Sequence, residues 1–220
     1  MFLQKYARYA LVLSLIALVG CAQQPLSSVA GKGKTVYLDP NIKVPDHYVY
    51  RDITGKRSRG VMSSFGLAGA IVGLMAGAAS ESPGYHRFDA AARKNPIDIK
   101  TLVRRDMEGA LRTATFLKMS PTPNADTTLK IEVTGYGVGP VHERELGAVI
   151  LAKATLMGRD GKEIWKKDEW SASDTTTTLE NLEANPSLWP KMAKEASQAL
   201  AKKMILYTSK TTRSNAEPFM

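Results

Sequence analysis

The sequence predicts an α+β domain in which a small antiparallel sheet carries two amphipathic helices on one face, with a glycine-rich apolar segment inserted ahead of them. Apolar residues recur every three to four positions from Ile99 to Leu117 and again from Leu188 to Tyr207, which marks the helices. Apolar and polar residues alternate over 127–138, 146–157 and 162–170, which marks three strands. Composition agrees: 220 residues, 44% hydrophobic and 23% charged, can bury one core. That balance excludes wholesale disorder, a collagen and a polytopic membrane bundle.

The opening residues belong to export rather than to the fold. Lys5 and Arg8 precede an eleven-residue apolar run, Ala10 to Gly20, roughly half of the ~20 residues that a permanent transmembrane helix needs. Residues 1–20 therefore read as a removable signal. The run ends in Leu18-Val19-Gly20-Cys21, which resembles the lipobox of bacterial lipoproteins: a leucine, small residues, then the cysteine. The resemblance implies that the Cys21 sulfur attacks a diacylglyceryl donor to form a thioether, after which its amine is acylated too. Each buried CH₂ contributes about 0.8 kcal/mol, so one short chain binds marginally and several anchor permanently. Cys21 is the sole cysteine, which excludes internal disulfides and multi-cysteine metal centres. In such lipoproteins an aspartate after the cysteine favours the inner membrane; Ala22 stands there. The resemblance thus implies the outer membrane of a Gram-negative bacterium, facing the periplasm, with surface display as the alternative.

Residues 21–34 are rich in Gln, Ser, Gly and Lys without apolar period and read as a flexible tether. A single domain is expected over 35–210 and a frayed tail over 211–220. Val36 to Leu38 and Tyr48 to Tyr50 are β-prone pieces split by Pro40 and Pro45, so an edge strand or extended crossing is expected.

The glycine-rich segment spans 61–79, where Gly66, Gly69, Gly73 and Gly77 would line one face of a helix. Two readings stay open. Small residues at that spacing form association faces between membrane helices, and about nineteen residues at ~1.5 Å rise nearly span a hydrocarbon core. Each glycine also weakens a helix by up to ~1 kcal/mol, which favours a loop or helix resting on the domain or bilayer surface. Lys56, Arg57 and Arg59 just before it suit anionic headgroups in the first reading and a solvated loop in the second.

Residues 80–93 read as a linker with a turn at Pro83-Gly84. Asn95 with Pro96 is the expected start of the first helix, whose charged residues Lys100, Arg104, Arg105, Arg112 and Lys118 form its wet face; Pro121 and Pro123 end it. In the first strand Leu129, Ile131 and Val133 point one way and Lys130, Glu132 and Thr134 the other. The glycines at 135, 137 and 139 read as a strand end or bulge, because no helix follows them to hold a phosphate. Asp160-Gly161 signals a hairpin, and Trp165 and Trp170 fall on opposite faces of the strand after it. Residues 171–184 look like a polar connection, and Asn185-Pro186 the opening of the last helix. The uncovered sheet face would show Lys130, Glu132, Thr134, Lys153 and Thr155.

Signals of catalysis are sparse. His47, His86 and His142 stand 39 and 56 residues apart with no metal-ligand spacing, and neither G-x-S-x-G nor S-x-x-K occurs. No enzyme activity, cofactor or metal is expected. A formal charge of +9 becomes +7 once Lys5 and Arg8 leave with the signal, which favours anionic partners. Nucleic acid is not among them, since export and the lack of aromatics interleaved with basic residues argue against it.

The lipobox, a helix, a strand meander closed by GRDGKEIW and a terminal helix resemble in element order the outer-membrane lipoproteins that include lipopolysaccharide-assembly and ABC-transport auxiliary members. The segment GLAGAIVGLMAG resembles that of plasmid surface-exclusion lipoproteins, where it lies later in the chain. The first resemblance implies a binding or assembly component with an envelope protein as partner. The second implies a membrane-associated homo-oligomer built through the glycine face.

Overall fold

The computed structural model describes residues 25–31, 33–50, 82–142 and 145–206. Among them are six strands, five α-helices and a terminal π-turn. The strands are β1 (Thr35–Leu38), β2 (Val49–Tyr50), β3 (Lys118–Ser120), β4 (Thr127–His142), β5 (Glu145–Gly158) and β6 (Glu163–Thr177). The helices are α1 (Leu26–Val29), α2 (Pro83–Lys94), α3 (Ile99–Thr113), α4 (Leu179–Ala184) and α5 (Leu188–Ala201), which runs into the π-turn Lys202–Leu206. None is long and apolar enough to cross a membrane.

The α+β class stands, and the three expected strands form an antiparallel meander, β4-β5-β6. The sheet as a whole is mixed, not antiparallel throughout. Its order is β3-β1-β4-β5-β6, and β1 runs parallel to both β3 and β4. β2 pairs in parallel with β4 at Gly137 and Val138, and a single bridge joins Lys43 to Glu132. The chain from Thr35 to Tyr50 therefore climbs one side of β4 as an interrupted strand. Pro40 and Pro45, which have no N–H to give to a ladder, fall in the gaps. The bulge expected among the glycines is a register shift between Val133 and Gly135.

The two expected helices, α3 and α5, lie together on one face, with Val103, Met107 and Leu111 from the first and Trp189, Met192, Ala196 and Leu200 from the second in one core. Their beginnings differ from expectation for a shared reason. Asn95 and Asn185 do not start helices; they end α2 and α4, with φ −135° and −126°. A residue before proline is pushed out of the helical region, so each Asn-Pro closes one helix and the next opens about three residues later. Asp98 caps α3, accepting from the Thr101 N–H at 3.0 Å and the Thr101 hydroxyl at 2.6 Å.

The expected linker over 80–93 is instead the helix α2, capped by Ser82, whose hydroxyl accepts from the Tyr85 N–H at 3.1 Å. It buries Phe88, Ala91 and Ala92. The expected polar connection over 171–184 is the second half of β6 followed by α4. Ser171 and Ser173 sit buried with their hydroxyls satisfied: Ser171 donates to the Ala196 carbonyl at 2.5 Å, and Ser173 accepts from the Ala148 N–H at 2.9 Å. Small hydroxyl side chains there let α5 approach the sheet. Within the stretch expected as a tether, Leu26 and Ala30 are buried core residues and α1 packs against β6.

Candidate functional site

Three surfaces stand out once the strands are in register. The first is the sheet face away from the helices. Register aligns Lys43, Glu132, Lys153 and Asp168 in one row across four chain segments, with signs alternating. Opposite charges facing each other across strands stabilise by roughly 0.2–1 kcal/mol a pair. In the adjoining row, Lys130, Thr155 and Lys166 keep the surface polar and basic. Asp39, Lys43, Lys130, Glu132 and Lys153 help to line a groove of about 330 Å³ on this face. Toward the β4–β5 hairpin the character changes: Leu151, 1% exposed, faces Gly135 and Trp170. The Lys203 ammonium lies 5.1 Å from the Trp170 ring centre and donates to the Trp170 carbonyl at 3.1 Å.

The second is an aromatic cluster between α2, α5 and β4. Tyr48 meets Phe88, Tyr136 and Trp189 edge-on with ring centres 5.4, 5.1 and 5.9 Å apart, and Phe88 meets Trp189 at 5.1 Å. Such pairs stabilise beyond their buried area by about 0.5–1.5 kcal/mol. Burial raises the Tyr48 and Tyr136 hydroxyls above their ordinary value, with the Asp89 carboxylate adding to the effect on Tyr48. Beside the cluster, Arg87 on α2 reaches α4, with Nε 2.9 Å from Glu183 Oε1, Nη2 2.5 Å from Glu183 Oε2 and Nη2 3.2 Å from Glu180. Those contacts lower the Glu183 carboxyl and raise the guanidinium; the Glu180 carboxyl is lowered first by its own backbone N–H and then by Arg87. This is packing and cross-linking of helices rather than catalytic geometry.

The third is the end of the sheet where β1 and β4 begin and the β5–β6 turn closes. Asp126 organises it. Its Oδ2 accepts from the Thr35 N–H and hydroxyl, each at 2.9 Å, and its Oδ1 meets Arg159 Nη2 at 3.0 Å. The Thr35 backbone donor, then its hydroxyl, hold the Asp126 carboxyl below its ordinary value, with Arg159 and Lys34 adding positive charge. The Lys118 N–H donates to the Lys34 carbonyl at 3.0 Å, which brings these two exposed lysines side by side. Arg159 borders an open cleft of about 560 Å³ with Asn124, Thr127 and Gly158.

Of the residues singled out in the sequence, Cys21, Lys56, Arg57, Arg59, Gly66, Gly69, Gly73 and Gly77 lie outside the described residues, as do the tail over 211–220 and the side chain of His142. His47 and His86 are exposed, and the described residues contain no group of three His, Cys, Asp or Glu able to hold a metal. The polar face lies where the alternation put it, with no described helix packed over its charged rows and with Lys43 added by tertiary pairing. The Lys34–Lys118–Arg159 grouping had no signal of its own, since its members are 41 to 125 residues apart.

No protein-family model and no curated protein matches the sequence. Solved structures resemble parts of it. A hypothetical protein from Chlamydia trachomatis gives a TM-score of 0.42 at 9% identity, over 79% of this chain and 94% of that one. A minor lipoprotein from Acinetobacter baumannii gives 0.35 at 12%, over 49% and 82%. A protein of the DUF330 family from Xanthomonas campestris gives 0.35 at 14%, over 47% of this chain and 57% of that one, so the match spans little more than half of its length. No residue role carries over at these similarities.

Proposed function

We propose that this chain is a non-enzymatic lipoprotein of the bacterial envelope, anchored through acylated Cys21 to the outer membrane and facing the periplasm, whose uncovered sheet face binds a protein partner in envelope assembly or transport. The observation that carries the reading is positional. The one cysteine of the chain stands at the only place where lipidation requires it, and Leu26, the first core residue among those described, follows five positions later. The alternating row Lys43, Glu132, Lys153, Asp168 supplies a charge pattern that a partner of complementary pattern would recognise, giving specificity more than raw affinity. Intact-mass measurement on protein from its native host tests the anchor, and photo-crosslinking from position 153 in whole envelopes tests the face. An unmodified Cys21 would overturn the reading.

A second reading has its own support. Tyr50 and Gly84, on either side of the undescribed residues 51–81, are in contact, and the spacing of Gly66, Gly69, Gly73 and Gly77 between them suits association with a second copy. Replacing Gly69 and Gly73 by Leu dissolves the oligomer under this reading and leaves the oligomeric state unchanged under the first.

A further inference from the structure

We propose that the sheet end formed by Lys34, Lys118 and the β5–β6 turn rests on anionic phospholipid headgroups of the leaflet that holds the anchor, and that the domain stands on this end with the β4–β5 hairpin pointing away. The inference rests on acylation of Cys21.

Reach comes first. Five residues from Cys21 to Leu26 extend at most about 18 Å. From Ala30 the chain makes a tight turn, in which the Lys34 N–H donates to the Gly31 carbonyl at 3.4 Å, and enters β1 directly. β4, by contrast, is 16 residues long, or about 50 Å at ~3.3 Å per residue. The anchored start of the chain therefore leads by a short path into the end where β1 and β4 begin, whereas the hairpin lies the length of β4 away from it.

Charge comes second. Among the described residues the exposed cations of that end are Lys34, Lys118, Arg159 and Lys162. Its acids are Asp126, met by Arg159 at 3.0 Å, and Asp160, met by Lys162 at 3.5 Å; Glu163 lies just beyond, on the uncovered face. Lys34 and Lys118 remain to meet phosphate. The loop between β3 and β4 presents Pro121, Thr122, Pro123 and Asn124 to solvent, without a large apolar side chain to insert, so the contact is electrostatic and screened by salt. A consequence follows for the glycine-rich segment. Its root at Tyr50 pairs with Val138, and Gly84 beyond its other end touches Tyr50; Val138 is eleven residues along β4 from Thr127 and thus roughly 35 Å from the headgroups. That places them on the membrane-distal side.

The test uses the full lipidated chain in vesicles of phosphatidylcholine with or without phosphatidylglycerol, carrying a fluorophore on a cysteine introduced by Asn124→Cys or Asp174→Cys, with a quencher attached to lipid headgroups. Strong quenching at 124 and little at 174 is expected on anionic vesicles. Lys34→Gln with Lys118→Gln should remove the difference between anionic and neutral vesicles, and in the absence of the anchor should weaken anionic binding by roughly thirtyfold, on the order of fivefold per lysine. Equal quenching at both positions on a chain whose mass shows the lipid would overturn the orientation alone. A chain without lipid on Cys21 would remove the anchor and this inference together.

Discussion

The ring of Tyr50 lies so close to the backbone of Gly84 that a methyl group on Gly84 would overlap the tyrosine hydroxyl. That contact joins β2 to the first turn of α2 across 31 undescribed residues and stacks Tyr50 on Phe88, with ring centres 6.3 Å apart. Gly84→Ala is expected to destabilise the domain by about 1–3 kcal/mol, the usual cost of overpacking, measured by urea unfolding. In a Tyr50→Leu background most of the penalty should vanish, since the two changes are coupled through one contact. An unchanged penalty would mean that the strain lies elsewhere.

Trp189 is fully buried against Tyr48 and Phe88, and its Nε1 has no hydrogen-bond partner among the described residues. Trp189→Ala should cost about 3–5 kcal/mol through the cavity it leaves. Trp189→Phe keeps an edge-to-face ring and removes the orphaned donor, so it should cost much less. Chemical denaturation of the two variants separates these outcomes.

Asp98 and Asp126 both have carboxyls held below their ordinary value, the first by the Thr101 hydroxyl and N–H, the second by the Thr35 N–H and hydroxyl. A carboxyl depressed in the folded state contributes stability that is present above its unfolded value and lost as pH falls through the folded one. The melting temperature should therefore hold down to about pH 5 and fall below about pH 4. Asp126→Asn should lower stability at neutral pH and flatten part of that acid slope. A parallel pH profile in the variant would count against the assignment.

Cys21→Ser removes the only thiol and should leave an uncleaved, unlipidated precursor, read by intact mass. Normal maturation of that variant would contradict the anchor.

Lys153→Glu would place three acids in a row, since Glu132 and Asp168 flank it. Losing those pairings should cost roughly 0.5–2 kcal/mol for the two contacts, and adding Asp168→Lys to Lys153→Glu should recover one of them while leaving Lys43 opposite Glu132. If the uncovered face binds a partner through its charge pattern, this double change should recover part of the stability without restoring crosslinks from position 130. Crosslinks equal to the parent's would argue that the partner sits elsewhere.

The three meander strands, α3 and α5 were legible in the sequence by itself. Each depends on a pattern that is local, a period of two for the strands and a period of three to four for the helices. Leu129, Ile131 and Val133 alternate with charged or polar neighbours wherever the strand finally pairs, and they are buried as expected. Helix boundaries were less legible, because Asn-Pro suits the end of one helix as well as the approach to another; only the packing of α2 and α4 against each other chose. Tertiary structure alone decided that β1 joins in parallel beside β4, since the Thr35–Asp126 contact spans 91 residues. It also decided that α2 exists, because its apolar face is little more than Phe88, Ala91 and Ala92 and becomes a core only when Tyr48, Tyr50 and Trp189 close around it. The physical reason is the same in both cases: burial is a property of what arrives from elsewhere in the chain, and no local period encodes the partner.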